Sequence, residues 1–258
     1  MNRTNCSYIK NIYDENCSIL YTYKDDKLTS DLNFKNNAFG LCGAGALKST
    51  ISDLTKYVLM FLNEGKLNNI KILDKFYFKE MINPRIFNSH NEYYCYGLIN
   101  LEIENRRFIY HSGGLPGVSS CISFCPEENI GIIVLCNTKD VPVYLLNLGL
   151  FNLIIGKNEL KQKINLKQFS WNKEFENKMI GEYITVEEEG KNIIIEKREN
   201  CNYYVFIKDG KEKEMIPVFE NEAIVKGEFK DNFIFFLKNE DNEIFAAEFD
   251  FTVYKKIK

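Results

Sequence analysis

The residues best suited to chemistry lie in the stretch 110–117, which reads Tyr-His-Ser-Gly-Gly-Leu-Pro-Gly and contains one of the chain's two histidines. Three glycines and a proline within eight residues indicate a backbone that turns sharply or lies close to another group. Because β-prone segments flank the stretch, we expect a strand that ends in a tight turn, where the edge of a ligand often lies. A glycine-rich hairpin with a half-buried histidine and no functional role explains the same residues.

His111 and Ser112 are not expected to form a base–nucleophile pair, because neighbouring residues of a strand point to opposite faces. His90 lies in a polar loop and is expected to be solvated. Residues 187–189 are expected to form a charged hairpin tip. The aromatic run 233–236 is most simply the core of a barrel, although a barrel can also hold a ligand.

The composition bounds the class of protein. With 258 residues and 45% hydrophobic content, the chain can bury a substantial core in one large or two modest domains. The net charge of −3 is spread along the chain, which argues against a nucleic-acid or polybasic membrane surface. The eight cysteines form no Cys-x-x-Cys pair, so we interpret them as buried free thiols and expect no metal or cofactor. No segment has the length of a signal peptide core or a membrane span, which predicts a cytosolic chain as written.

The elements that must position residues 110–117 follow from the periodicity on either side. Thr50 and Asp53 have capping-box spacing before an apolar helical pattern that ends at Gly65, and two further helices are predicted at residues 74–82 and 141–155. Between them an antiparallel meander is predicted, with strands at residues 94–103, 107–111, 118–125 and 131–136. Because the last of these is apolar on nearly every residue, we expect helices on both faces of the sheet.

The domain organisation predicted from these patterns is a first domain at residues 1–160, a linker at 161–177 and a second domain at 178–258. The second domain contains short strand-like runs with even spacing, which favours a small antiparallel barrel or sandwich. These runs are residues 179–186, 192–197, 202–208, 214–219, 222–226, 232–238 and 243–251.

Several motifs in a fixed order resemble the C-terminal part of the serine β-lactamase and penicillin-binding-protein-like family, on the class C β-lactamase and D-Ala-D-Ala carboxypeptidase side. The resemblance covers roughly residues 1–156, and the strand-rich tail is similar to the family's accessory β-domain. The motifs are the helix region 43–65, Tyr96-Gly97-Leu98, His111-Ser112-Gly113 with the following Gly-Leu-Pro-Gly, Pro126-Glu127 and residues 131–137. The fold implied is α+β: an antiparallel sheet flanked by helices, as a partial β-lactamase or transpeptidase fold, followed by a small antiparallel β-barrel.

In that family three motifs surround an acyl substrate: Ser-x-x-Lys, Tyr-x-Asn and a Lys/His-Thr/Ser-Gly strand. The resemblance implies that His111 and Ser112 face the substrate carboxylate and that Gly113 gives room for close approach. The backbone N–H of Gly114 is implied to be an oxyanion-hole donor, a contribution of about 3 kcal/mol to lowering the barrier.

The first two motifs have no convincing match. Ser7 and Ser170 each begin a literal Ser-x-x-Lys, but the first lies in a polar segment and the second in the predicted linker, so neither is expected to be a nucleophile. The sequence contains no Tyr-x-Asn. The resemblance therefore implies a chain that begins inside the family's domain, without its N-terminal nucleophile region.

Two hypotheses remain open. In the first, the chain is part of a serine hydrolase of a β-lactam, a D-Ala-D-Ala peptide or an ester. This part is inactive alone and associates with its missing half through an exposed sheet surface. In the second, it is a non-catalytic protein that binds a ligand or partner with its C-terminal β-domain. Members of the family are typically exported, so the resemblance and the lack of an export signal disagree on the compartment.

Overall fold

A computed structural model gives the structure of residues 1–5, 16–24, 27–31, 43–45, 47–89, 91–139, 141–157, 166–185, 191–198, 203–227, 231–250 and 252–257. The chain divides into two compact units, Met1–Leu160 and Lys161–Lys258. Each unit is described by itself.

The first unit is built on a six-stranded antiparallel sheet with the strand order β10-β9-β8-β7-β6-β5. The strands of the unit are β1 (Leu20–Lys24), β2 (Lys27–Asp31), β3 (Lys66–Leu67), β4 (Ile70–Lys71), β5 (Ile86–Ser89), β6 (Glu92–Tyr94), β7 (Ile99–Ile103), β8 (Arg106–Leu115), β9 (Val118–Cys125) and β10 (Ile130–Cys136). Its helices are α1 (Ile51–Leu62), α2 (Lys75–Ile82) and α3 (Val143–Ile154).

Helix α1 begins and ends where the sequence predicts. The side chain of Thr50 accepts a hydrogen bond from the backbone N–H of Asp53 at 3.3 Å. At the other end Gly65 has a φ of +93°, and its N–H donates to the carbonyl of Met60 at 2.8 Å. This left-handed glycine ends the helix as expected from the sequence.

Helices cover both faces of the sheet, which confirms the prediction from the apolar strand β10. On one face, Phe61 of α1 stacks on Phe124 of β9 with ring centroids 4.8 Å apart. On the other face, Phe151 of α3 lies 5.0 Å from Phe108 of β8. Asn147 fixes α3 over the sheet, because its buried amide donates to the carbonyls of two strands.

The meander differs from the sequence prediction at residues 94–103. The structure places two strands there, β6 and β7, joined by a turn in which Gly97 has a φ of +67° and the N–H of Cys95 donates to the carbonyl of Leu98. The tyrosines before Gly97 are as β-prone as the residues after it, so composition alone hides the break. The short strands β1 to β5 also went unpredicted.

The second unit is a closed barrel of eight antiparallel strands preceded by helix α4 (Lys173–Met179). The strands are β11 (Gly181–Thr185), β12 (Asn192–Lys197), β13 (Tyr204–Lys208), β14 (Lys211–Phe219), β15 (Glu222–Val225), β16 (Asn232–Lys238), β17 (Ile244–Phe249) and β18 (Thr252–Lys256). Large side chains fill the interior, as is usual for a barrel of this strand number. They include Met179, Tyr183, Phe206, Phe236, Phe249 and Tyr254.

The predicted linker at residues 161–177 overlaps an element of the second unit, because α4 begins at Lys173. Asn172 caps α4 by accepting from the N–H of Phe175 at 2.8 Å, and Phe175 and Met179 pack into the barrel core. Trp171 is only 7% exposed, and its indole N–H donates to the carbonyl of Phe219. In a helix of seven residues the apolar spacing occurs only once, here from Phe175 to Met179. A single repeat does not distinguish a short helix from a polar linker in the sequence.

The sequence also missed one barrel strand. The predicted run 243–251 ends at Phe249 in the structure, where Asp250 turns the chain with a φ of +54° and β18 follows. With this strand the barrel closes, since β18 pairs with β11. The predicted fold class, an α+β sheet domain followed by an antiparallel barrel, is confirmed.

Of the five cysteines among the described residues, three are buried, Cys136 is partly buried and one is exposed. Cys95, Cys121 and Cys125 are buried, whereas Cys17 is exposed, contrary to the prediction. Cys6, Cys42 and Cys201 lie outside the described residues. Within the described ranges, no helix combines the length and the apolar character that a membrane span requires.

Candidate active site

The candidate site is the C-terminal end of β8, which extends beyond its neighbour β7. The first residue of β7, Ile99, pairs with Tyr110, so among the described residues β8 has no strand partner on that side from His111 onward. Ser112, Gly113 and Gly114 are all exposed. An open strand edge of this kind offers backbone donors and acceptors to a ligand.

The direction of the backbone groups follows from the hairpin that joins β8 to β9. Leu115 pairs with Val118 across a two-residue turn in which Gly117 has a φ of +78°. In such a hairpin the pair that closes the turn, Leu115 and Val118, is joined by backbone hydrogen bonds. The next pair, Gly114 and Ser119, is not. Gly114 therefore directs its N–H and C=O away from β9, as does Ser112 two residues earlier. An exposed, fixed N–H of this kind can stabilise a developing oxyanion.

His111 is half-buried and held at both ring nitrogens. Its Nδ1 lies 2.7 Å from the carbonyl oxygen of Ser112, and its Nε2 lies 3.2 Å from the hydroxyl of Tyr94. A carbonyl only accepts, so Nδ1 carries a proton and donates it to Ser112. In the neutral ring Nε2 is then an acceptor for the Tyr94 hydroxyl.

A buried polar cluster lies next to His111. Glu92 is 3% exposed, and its carboxylate accepts from the Tyr110 hydroxyl at 2.5 Å and from the amide of Asn88 at 2.7 Å. The rings of Tyr110 and Tyr144 lie 4.6 Å apart, and burial raises the pKa of both phenols. Both tyrosines therefore remain protonated, and Tyr110 donates to Glu92.

The two glycines after Ser112 differ in the space around them. An added Cβ at Gly113 would lie 3.0 Å from the hydroxyl oxygen of Ser120, whereas at Gly114 the nearest atom is the Val118 carbonyl oxygen at 3.9 Å. Neither glycine has a positive φ. Close packing therefore favours glycine at position 113, and position 114 has room for a side chain.

The other candidate residues lie elsewhere or are not described. Ser7, His90 and residues 187–189 lie outside the described residues. Ser170 is exposed, belongs to the second unit and precedes α4, so Ser170 and Lys173 do not share a helix. In the aromatic run 233–236, Ile234 and Phe236 are fully buried in the barrel core.

Tyr94 is the residue of this neighbourhood that sequence reasoning missed. No motif or spacing connects position 94 with position 111, because their contact arises from the pairing of β6, β7 and β8. The only available signal was the strand prediction around Tyr94, and that prediction misplaced the turn. In the part of the chain that the structure describes, no group of three or more His, Cys, Asp or Glu side chains is placed to bind a metal.

A comparison with protein families identifies the chain. The β-lactamase family model matches residues 14–149, which is just over half of the sequence and includes β8. The chain belongs to the β-lactamase family. The resemblance to serine β-lactamases and penicillin-binding-protein-like hydrolases is thereby confirmed, and no curated protein matches the sequence.

Solved structures extend the likeness of this β-lactamase family member beyond the matched residues. The octameric penicillin-binding protein homologue from Pyrococcus abyssi is 20% identical with a TM-score of 0.56, over 99% of this chain and 57% of that one. SurE is 9% identical with a TM-score of 0.63, over 93% of this chain and 56% of that one. SurE with D-Leu is 9% identical with a TM-score of 0.57, over 84% of this chain and 52% of that one. These likenesses show the fold, and the chain spans little more than half the length of the structures it matches.

Proposed function

We propose that residues 111–114, at the end of β8, bind the carboxylate and the carbonyl group of the substrate in a serine hydrolase that transfers acyl groups. These four residues are called the strip. The observation that supports this most directly is the open edge of β8, where Ser112, Gly113 and Gly114 are exposed beyond the end of β7. Membership of the β-lactamase family makes this strand edge the expected place for an acyl substrate.

In this proposal each residue of the strip has a separate task. The Ser112 hydroxyl donates to the substrate carboxylate, and His111 places its imidazole close to the same carboxylate. Gly113 leaves room for the substrate to lie against the strand. The N–H of Gly114 donates to the carbonyl oxygen as it gains negative charge, a task for which a backbone donor is well suited because it needs no reorganisation.

The substrates in keeping with this strip are a β-lactam, a D-Ala-D-Ala peptide or an ester. Each carries a carbonyl for the Gly114 N–H, and the first two also carry a carboxylate for Ser112. The similar structure described as SurE with D-Leu adds a reason to test D-amino acid compounds. Benzylpenicillin is a convenient probe, because it has both a strained carbonyl and a carboxylate.

The nucleophile is proposed to come from polypeptide other than the described residues. Ser112 lies beside His111 on the strand, and the imidazole contacts the Ser112 backbone carbonyl rather than its hydroxyl. Ser170 has no helical lysine partner. We therefore propose that the chain does not hydrolyse acyl substrates alone. Ligand binding by the barrel, the alternative function, has no comparable support, because side chains fill the barrel interior.

Intact-mass spectrometry tests the proposed lack of a nucleophile. The purified chain is incubated with benzylpenicillin, and we expect the mass of the protein to stay unchanged. A stable increase equal to the mass of penicillin would show a covalent acyl-enzyme and contradict the proposal. The Ser170→Ala variant then tells whether that serine carries the adduct.

Association with a completing polypeptide is proposed to use the outer edge of β10. Both faces of the sheet are covered by helices, so the apolar sheet surface expected from the sequence is reduced to this edge. Among the described residues, 130–136 have no strand partner on this side, and Tyr21 of β1 bridges Thr138 just beyond them. Residues 130–136 carry no charge that would discourage pairing. The neighbouring helix α3 exposes an apolar stripe of Leu146, Leu150, Leu153 and Ile154.

Size-exclusion chromatography and binding of a hydrophobic dye test this surface. We expect the isolated chain to bind the dye or to self-associate, and the Leu150→Lys variant to reduce both effects. Leu28→Lys, a change at an exposed leucine of β2, is the control. A compact monomer that does not bind the dye would contradict the proposed association.

A further inference from the structure

Two side chains of β6 contact the side chains of two consecutive residues of β8, although the two strands are not neighbours in the sheet. β7 lies between the two strands in the sheet. Nevertheless, the Glu92 carboxylate accepts from the hydroxyl of Tyr110, and the Tyr94 hydroxyl contacts the imidazole of His111. Ile99 of β7 pairs with Tyr94 on one side and with Tyr110 on the other. Tyr94 therefore lies level with Tyr110, the residue before His111.

The contact with Tyr94 is possible because β7 ends at this point. His111 has no partner on β7, and the space beyond Ile99 is open for the two side chains to meet. The rings meet edge to face, with centroids 6.1 Å apart and an interplanar angle of 79°. The Tyr94 hydroxyl therefore meets Nε2 at the side of the imidazole that faces away from the Ser112 carbonyl.

We propose that Tyr94 is the positioning residue of the candidate site, which fixes the orientation and the tautomer of His111. This inference rests on the proposed function of the strip. With Nδ1–H bound to the Ser112 carbonyl and Nε2 bound to Tyr94, the ring has one orientation that satisfies both nitrogens. A ligand at Ser112 then meets an imidazole whose position is already set. Glu92 supports this arrangement, because it ties Tyr110 to the same strand that carries Tyr94.

A purely structural role for Tyr94 makes a different prediction. If the ring only fills space between strands, a phenyl group serves equally well and the hydroxyl has no effect on His111. The Tyr94→Phe variant removes the hydroxyl alone, so it separates the two roles. Tyr93→Phe is the matched control, because Tyr93 lies beside Tyr94 on β6 and its ring contacts Phe87 instead.

The test is the side-chain ¹⁵N spectrum of His111 in the full chain at alkaline pH, assigned by comparison with His111→Gln. In the wild type we expect a single Nδ1–H tautomer with a slowly exchanging ring proton. In Tyr94→Phe we expect the Nε2 signal to move and the ring proton to exchange faster, while the backbone amides of β6 to β8 stay in place. Tyr93→Phe should match the wild type. Unchanged His111 nitrogen shifts in Tyr94→Phe would overturn the positioning role.

A titration with benzylpenicillin distinguishes failure of this inference from failure of the proposed function. If the strip binds the probe, we expect Tyr94→Phe to weaken the binding about tenfold, an effect in the range of one lost hydrogen bond. Equal affinity in the wild type and the variant would overturn the positioning role and leave the strip in place. If the wild type does not bind the probe at Ser112, the proposed function of the strip fails, whereas the effect of Tyr94 on His111 is tested separately. The nitrogen spectrum then still shows whether Tyr94 fixes the imidazole.

Discussion

At the scale of single residues, Tyr110 and His111 show how two neighbours on a strand acquire different chemistry. Tyr110 points into the core, where burial raises the pKa of its phenol, so it serves as a hydrogen-bond donor to Glu92. His111 points to the other face at the open edge of β8, where it contacts Tyr94 and the Ser112 carbonyl. The same strand thus carries a buried hydrogen-bond donor at Tyr110 and a half-buried imidazole next to the exposed Ser112.

Asp53 is a second residue whose surroundings change its chemistry. It is 3% exposed and accepts from the backbone N–H of Arg3 at 2.8 Å, from the hydroxyl of Thr4 at 3.0 Å and from the ammonium group of Lys56 at 3.3 Å. Burial acts to raise the pKa of this carboxyl, but the three donors together lower it to about 2. The ionised form thus ties residues 3 and 4 to the first turn of α1.

This shift predicts an acid dependence of stability. Because the pKa of Asp53 is lower in the folded chain than in the unfolded one, its stabilisation is complete above about pH 4 and is lost as the pH falls towards 2. We expect the thermal midpoint of the wild type to fall more over this interval than that of Asp53→Asn. Melting curves followed by circular dichroism at several pH values measure the difference. Parallel pH profiles for the two proteins would contradict the assignment.

At the scale of elements, the approach of α1 to β10 depends on one glycine. An added Cβ at Gly131 would lie 2.2 Å from Cγ1 of Val58, so the helix can pack this closely only on a strand without a side chain there. Phe61 and Phe124 stack in the same layer. The sequence shows Gly131 as an interruption in an apolar strand, and the structure gives the physical reason for it.

The close approach predicts a specific pair of variants. Gly131→Ala should lower the free energy of unfolding by about 1–3 kcal/mol, because the added methyl group overpacks the contact with Val58. Adding Val58→Ala should make the double variant more stable than the sum of the single effects by about 1 kcal/mol. Gly43→Ala, where an added Cβ meets nothing within 4 Å, is the control. Chemical denaturation of the wild type, the two single variants, the double variant and the control measures these effects, and strictly additive effects would contradict the packing argument.

Elements with long periodic patterns could be predicted from the sequence, and short or cross-strand features could not. α1 was predictable because Thr50, the apolar repeat and Gly65 all indicate the same helix. α4 was not, since its seven residues offer only Phe175 and Met179 as apolar repeats. Sequence similarity to a family indicated the residues from His111 to Gly114, whereas Tyr94 emerged only from strand pairing. Contacts that depend on register are not encoded by local spacing.

At the scale of the whole molecule, each unit has its own hydrophobic core. The first unit packs α1 and α3 on opposite faces of the sheet, and the second fills a closed barrel with aromatic side chains. The candidate strip belongs to the first unit and the family model matches only residues of that unit. We therefore propose that the sheet unit binds the ligand and that the barrel has no part in this binding.

The measurement that tests this account most directly is a titration of the ¹⁵N-labelled chain with benzylpenicillin, followed by backbone amide shifts. We predict shifts at Ser112, Gly113 and Gly114, with the barrel residues unchanged. Gly114→Pro, which lacks the N–H, should weaken the binding, and Gly114→Ala, which has room for its methyl group, should preserve it. Shifts confined to the barrel, or no shifts from Ser112 to Gly114, would contradict the account.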